Sequence, residues 1–209
     1  LRAIENPMDL YAIIKHMLHE RRPARIQDPE PPCVHAAVLV PLLMRDGAHE
    51  VLFIRRARTV THHKGQISFP GGIVETQDNS FEETALRESF EEIGLKRKDV
   101  EILGAMDDAR TLSSHYVVHP VVGSVPYPYP FVINRSEVDE LIRVPLAAFR
   151  RVRGETLEGV VTYEGQPYRS IVYEYDGDVI WGATARIIKN LMDVVCDSLS
   201  GSGARDSVD

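Results

Sequence analysis

The chain has 209 residues, 44% of them hydrophobic, which suits one folded unit with a core of useful size. A net charge of −7 and a pI near 5.6 argue against a nucleic-acid polymer as a standing partner, because such binding needs clustered Lys and Arg. No apolar run is long enough to span a bilayer, and no basic segment leads into an apolar stretch near the start, so the expectation is a cytoplasmic protein without a membrane or secretory segment.

Asn6-Pro7-Met8-Asp9 predicts a helix start, with Asn6 as N-cap and Pro7 in the first turn. Leu10, Ile13, Ile14, Met17 and Leu18 give this helix one apolar face, which packs on the core or on a second subunit of a homodimer. Arg21 to Pro32 is rich in Pro and charge and reads as a linker, so residues 1–32 form a helix and linker ahead of the main domain. Cys33 and Cys196 are far apart and lack metal-ligand spacing, as expected for reduced thiols. Val34 to Leu43 and Glu50 to Arg55 predict two strands joined by a turn at Arg45-Asp46-Gly47. Arg58 to Lys64 is a polar loop. Gln66 to Phe69 is a short apolar strand that meets Pro70 and the pair Gly71-Gly72, read as a loop able to approach a ligand closely.

Ser80 to Gly94 predicts a helix with both ends marked. Ser80 and Glu83 make a capping box, and Gly94 takes the left-handed C-terminal position. Ala85, Leu86, Ser89, Phe90 and Ile93 form its apolar stripe, which turns Arg87, Glu88, Glu91 and Glu92 outward. At about 100° per residue the three glutamates share a sector of roughly 100°. Like charges at this spacing repel. Water can solvate them, or a hard cation can bind them. Beside a glycine loop, the second reading fits a divalent ion held against phosphates.

Further strands are expected at Val100 to Met106 and Tyr116 to Val125, with a Pro-rich surface loop at Pro126 to Pro130. Val138 to Val144 alternates acidic and apolar residues, and Pro145 starts a short helix. Gly159 to Tyr175 is a hairpin turning at Glu164-Gly165, and Asp176-Gly177 is another turn. Trp181 to Leu199 is the last helix, with Ile187, Ile188, Leu191, Met192 and Val195 inward; residues 200–209 are expected to be a disordered tail. The element order predicts an α/β fold, a mixed β-sheet between helices, spanning 33–199. His115 and His119 share metal-like spacing, but on a strand they would lie about 13 Å apart. Asp107 and Asp108 read as solvated loop acids, Tyr127 and Tyr129 as packing anchors or base-stacking rings, and Trp181 as core.

The run Arg87-Glu88-Ser89-Phe90-Glu91-Glu92-Ile93-Gly94-Leu95 resembles the signature of Nudix hydrolases, with Ser89 standing where an aliphatic residue is usual. The signature's upstream acid falls on Asp78, one residue further from Arg87 than in the general pattern. Leu52 to Ala57, Gly65 and Phe69-Pro70-Gly71-Gly72 resemble the additional motif of coenzyme A pyrophosphatases, and Ile180 to Ile187 resembles that subgroup's C-terminal helix. The motif's basic residue at position 61 is replaced by Thr61, with His62, His63 and Lys64 adjacent.

The resemblance implies an α/β/α sandwich that hydrolyses a nucleoside diphosphate linked to another group, with coenzyme A first among the candidates. The others are ADP-ribose, NADH, a dinucleoside polyphosphate or a nucleoside triphosphate, and a non-catalytic nucleotide-binding module is the reading from another class. It implies Mg²⁺ or Mn²⁺ on Glu88 and Glu92, with Glu91 a third or water-mediated ligand. Arg87 supports the helix by pairing with Glu91. Arg55, Arg56 and Lys64 flank the glycine pair and read either as phosphate ligands or as a solvated basic strand edge, and backbone groups at Gly71 and Gly72 would complete the site. The sequence does not identify the general base: Glu88 is one option, and a later acid such as Glu137 or Glu140 is another.

Overall fold

The computed structural model describes residues 7–27, 33–60, 63–111, 115–150 and 158–201. Asn6, Thr61, His62, the end of the linker and residues 202–209 lie outside the described residues. Helix α1 spans Pro7–Glu20, and Leu10, Ile14 and Leu18 bury its apolar face. Strands β1 (Val34–Arg45) and β2 (Ala48–Arg56) form the expected hairpin, with Arg45 opposite Ala48. Its two loop residues, Asp46 and Gly47, have φ of 50° and 77°, the primed turn that matches strand twist.

Gly71 and Gly72 are not in a loop. After β3 (Ile67–Ser68) they open a short strand, β4 (Gly71–Ile73), antiparallel to β1 with Gly72 opposite Ala37. Gly71 has φ of 153°, and a Cβ there would meet the Ala37 carbonyl at 2.3 Å. Only glycine allows so close a pairing. Helix α2 (Phe81–Ile93) follows, capped by Ser80 and closed by Gly94 at φ 68°.

Strands β5 (Glu101–Ala105), β6 (Ala109–Arg110) and β7 (Tyr116–Val125) come next, then β8 (Val138–Pro145) and a 3-10 turn at Leu146–Phe149. The main sheet runs β3-β2-β1-β7-β5, with β4 on β1, β6 on β7 and β8 on β2. Only β1 and β7 among these pairs run parallel, so the sheet is mixed. Strands β9 (Glu158–Tyr163), β10 (Gln166–Tyr175) and β11 (Asp178–Trp181) make a separate three-stranded sheet, and α3 (Gly182–Gly201) ends the described chain.

Alternation along the central strands builds two cores. Leu39, Leu43, Leu52 and Ile54 meet α2 through Ala85, Leu86 and Ile93. Val40, Leu42, Val51 and Phe53 meet α1 and α3 through Ile14, Leu18, Ile188 and Leu191. This is the α/β/α arrangement that the sequence predicts.

Two expectations about α2 need correction. Phe90 is 55% exposed, whereas Glu92 is only 2% exposed. The buried stripe runs Ala85, Ser89, Glu92 and Ile93, so Glu92 lies on the inner edge of the acidic face. The loop acids are also not solvated. Asp108 is fully buried, accepts from the Ile26 N–H and pairs with Arg25 at 2.5 Å. Asp107 accepts from the Ala24 N–H and pairs with Arg21. These two acids fasten the segment after α1 onto the main sheet.

Candidate active site

Helix α2 carries the acids, and β4 holds them at a set depth. Glu92 Oε2 accepts the Gly71 N–H at 2.9 Å, and Arg56 lies 3.6 Å from Glu92 Oε1. Burial pushes the Glu92 carboxyl up to about 8, a rise that the Gly71 hydrogen bond and Arg56 only partly oppose. Glu88 is raised too, again chiefly by burial, with the Arg87 guanidinium acting against it. Gly72 makes room for this carboxylate, since a Cβ there would lie 2.4 Å from it. Glu91 is half exposed and meets Arg87 at 3.4 Å, the i, i+4 pair expected.

Arg87 does more than pair with Glu91. Its Nε and one terminal nitrogen donate to the two oxygens of Asp78 at 3.1 and 3.0 Å, and it also donates to the Ile73 carbonyl. Asp78 accepts from the Thr84 hydroxyl and the Glu75 N–H as well. The Arg87 hydrogen bonds hold the Asp78 carboxyl down at about 2. The late acid therefore clamps the loop between β4 and α2 despite the shifted spacing.

The basic residues divide. Arg56 faces Glu92. Arg55 is taken up by Asp178 at 2.6 Å and Glu140 at 3.2 Å, and Lys64 is exposed. Glu137 lies close enough to raise both Glu88 and Glu92, whereas Glu140 is committed to Arg55. His115 is exposed and His119 buried, so the pair does not chelate. His119 instead bridges His35, at 2.8 Å, and Asp108, at 2.7 Å. Tyr129 anchors its loop by accepting from the Lys96 N–H and donating to Asp99; Tyr127 lies against Arg45 and Arg143.

A pocket of about 140 Å³ opens beside Glu92, lined among others by Arg56, Gln66, Phe69, Gly71, Trp181 and Thr184. Trp181 is half-buried and borders this pocket, so it is not the core residue expected. Composition alone gave no sign of this position, which depends on how β11 meets β3.

Among the described residues no three His, Cys, Asp or Glu side chains converge on one point. Glu88 and Glu91 turn to Arg87, and Glu92 turns to Gly71. The donor set nevertheless fits a hard divalent cation. Glu92 is almost wholly buried, Glu88 is partly buried one turn away, and Gly72 leaves room beside the Glu88 carboxylate.

The glycine strand β4 lies against the acidic face of α2, with Arg56 beside the innermost acid. The NUDIX domain model matches residues 34–162. An uncharacterized Nudix hydrolase NudL from Photorhabdus laumondii is 37% identical over 158 residues, covering 75% of this chain and 82% of that protein. The protein of the same name from Yersinia pestis is 39% identical over 157 residues, covering 75% and 77%. A crystal structure of a MutT/nudix family protein from Enterococcus faecalis shares the fold, with a TM-score of 0.55 at 16% identity over 94% of this chain and 76% of that one. The chain belongs to the Nudix hydrolase family, and it is a pyrophosphohydrolase. No helix among its described residues is long and apolar enough to cross a membrane.

Proposed function

We propose that this Nudix hydrolase cleaves the pyrophosphate of coenzyme A or acyl-coenzyme A, releasing 3′,5′-ADP and the (acyl-)phosphopantetheine. One observation carries the choice of substrate. The two stretches that resemble coenzyme A pyrophosphatases (Leu52 to Ala57 with Gly65 and Phe69 to Gly72, and Ile180 to Ile187) are distant in sequence, yet Arg56, Phe69 and Gly71 from the first and Trp181 to Thr184 with Ile187 from the second line one pocket, and Arg56 and Gly71 also contact Glu92.

Glu88, Glu92 and Glu91 would hold Mg²⁺ or Mn²⁺, which supplies charge neutralisation at the anhydride and a more acidic bound water. The chain's own groups do the rest. Arg87 holds Asp78 and the Ile73 carbonyl, which fixes the loop that carries the acids' partners. Gly71 orients Glu92 through its N–H, and Arg56 offers a cation to the phosphate nearest the pocket. Glu137 would take a proton from the attacking water, a choice supported by its charge acting on both Glu88 and Glu92 while Glu140 is paired with Arg55. Arg55, paired with Asp178 and Glu140, and the exposed Lys64 would act only at a distance, through the field at the pocket mouth.

The test is a product assay by mass spectrometry with Mg²⁺ over coenzyme A, dephospho-coenzyme A, ADP-ribose, NADH, dinucleoside polyphosphates and nucleoside triphosphates. The reading expects 3′,5′-ADP from coenzyme A and a slower reaction with dephospho-coenzyme A. Faster cleavage of any other compound on the panel would move the assignment to that substrate.

A further inference from the structure

Trp181 ends β11 and packs against Tyr163 and Tyr168, at centroid distances of 5.7 and 5.8 Å. His63 stacks on Tyr163 at 6.3 Å with the planes 16° apart. All four rings are half-buried, and His63 and Trp181 border the pocket that reaches Gly71 and Arg56. The rings come mainly from the three-stranded sheet, which lies outside the eight-stranded one that positions the glutamates. The cluster is therefore an addition to the catalytic scaffold, not part of its core.

Three residues that line this pocket carry polar atoms without a partner. Among the described residues, Gln66 Nε2, Ser68 Oγ and Arg56 Nε are buried without a hydrogen-bond partner, and all three residues line it. Unmade hydrogen bonds of this kind are costly, so a ligand with acceptors is the expected complement. An indole wall with donors below it selects a flat ring that carries acceptors on its edge. A nucleobase has that form, because its face stacks and its ring nitrogens accept. A flexible saturated arm would leave the indole unused.

We propose that Trp181, packed with Tyr163 and Tyr168, is the seat of the substrate's nucleobase, with Gln66 and Ser68 turning to donate to the base edge. This rests on the pyrophosphatase reading and adds to it which half of the substrate the pocket takes. The nucleoside would lie toward β11, its diphosphate would run past Arg56 to the glutamates, and the other half would leave on the far side.

The chain has a single Trp, so its fluorescence reports on this position alone. The 209-residue chain is titrated with 3′,5′-ADP and, separately, with 4′-phosphopantetheine, while calorimetry follows binding independently. The expected result is saturable quenching by 3′,5′-ADP and none by phosphopantetheine. Trp181→Leu should raise KM between about fivefold and a hundredfold with kcat little changed, and Trp181→Phe should restore most of it. Calorimetric binding of 3′,5′-ADP with no change in fluorescence would overturn the assignment, as would a response to phosphopantetheine alone. Because the fluorescence is read on the parent chain, a variant that fails to fold does not shield the proposal. If no compound on the substrate panel is cleaved, the pyrophosphatase reading fails. If coenzyme A is cleaved and Trp181 stays silent, only the base seat fails.

Discussion

Replacing Glu92 with Gln tests whether its carboxylate is kept for a cation. The side chain is 3% exposed, and Gln fills the same space while its oxygen can still accept the Gly71 N–H. The folded carboxyl titrates at about 8 against an ordinary 4.5. A group raised in this way favours its protonated folded form. Its stabilisation is complete below 4.5 and is lost as pH rises through about 8. A shift of that size corresponds to roughly 5 kcal/mol at 1.36 kcal/mol per pH unit. Against the ~5–15 kcal/mol that holds a typical domain together, this is large. In EDTA the parent should lose stability from pH 5 to 8 by several kcal/mol more than Glu92→Gln, read as the difference between their urea midpoints multiplied by m. Adding Mg²⁺ at about a hundred times its Kd should return about 2.7 kcal/mol to the parent and less to the variant. Turnover should fall by more than the roughly 10–100-fold that follows loss of an outer partner of a metal ligand. Parallel pH curves in EDTA, equal rescue by Mg²⁺, or a parental rate would each refute the argument.

Gly72→Ala should displace the Glu88 carboxylate, because the new Cβ would lie 2.4 Å from it. Helix content by circular dichroism should stay, and the Mg²⁺ requirement of the reaction should shift to higher concentration. Asp78→Asn should cost about 1–2 kcal/mol at pH 7 by removing the clamp on Arg87. Since the folded Asp78 carboxyl sits at about 2, its contribution is present above 3.8 and is lost as pH falls toward 2, so parent and variant should converge in acid denaturation. Phe90→Ser should change stability by no more than about 0.5 kcal/mol in a denaturant melt, because the ring is 55% exposed.

Legibility in the sequence follows the range of the interactions. The hairpin turns at Asp46-Gly47, Glu164-Gly165 and Asp176-Gly177 were readable because a two-residue turn needs positive φ at both positions, and local sequence supplies it. The ends of α2 were readable for the same reason: Ser80 caps its own first turn, and Gly94 closes the last. The inner face of α2 was not. Counting Phe90 as core drew the stripe toward one side, whereas Ala85, Ser89 and Glu92, at spacings of four and three, are what β1 and β4 cover. That choice depends on Gly71 and Gly72 forming a strand on β1, a pairing made across some thirty residues. Asp107 and Asp108 were misjudged likewise, because Arg21, Arg25 and the backbone of residues 24–26 reach them from the far end of the chain.

The environments of two acids on the same helix–loop unit separate their tasks. Asp78 receives four side-chain and backbone donors, two of them from Arg87, and its carboxyl is held at about 2. Its charge is fully answered within the fold, so it has nothing left for a substrate or ion, and its role is to fix the loop. Glu92 receives one backbone N–H and an arginine at 3.6 Å, and burial leaves its carboxyl at about 8. A buried carboxylate so poorly answered is a net cost to the fold. What makes that cost reasonable is a partner the chain does not itself provide. On the proposed function the sign of each displacement matches a role: the acid pushed down serves the scaffold, and the acid pushed up would serve the reaction. On the same proposal Glu88, raised by burial but paired with Arg87, would have to give up that contact to join Glu92 on a cation, while Arg87 would keep Asp78.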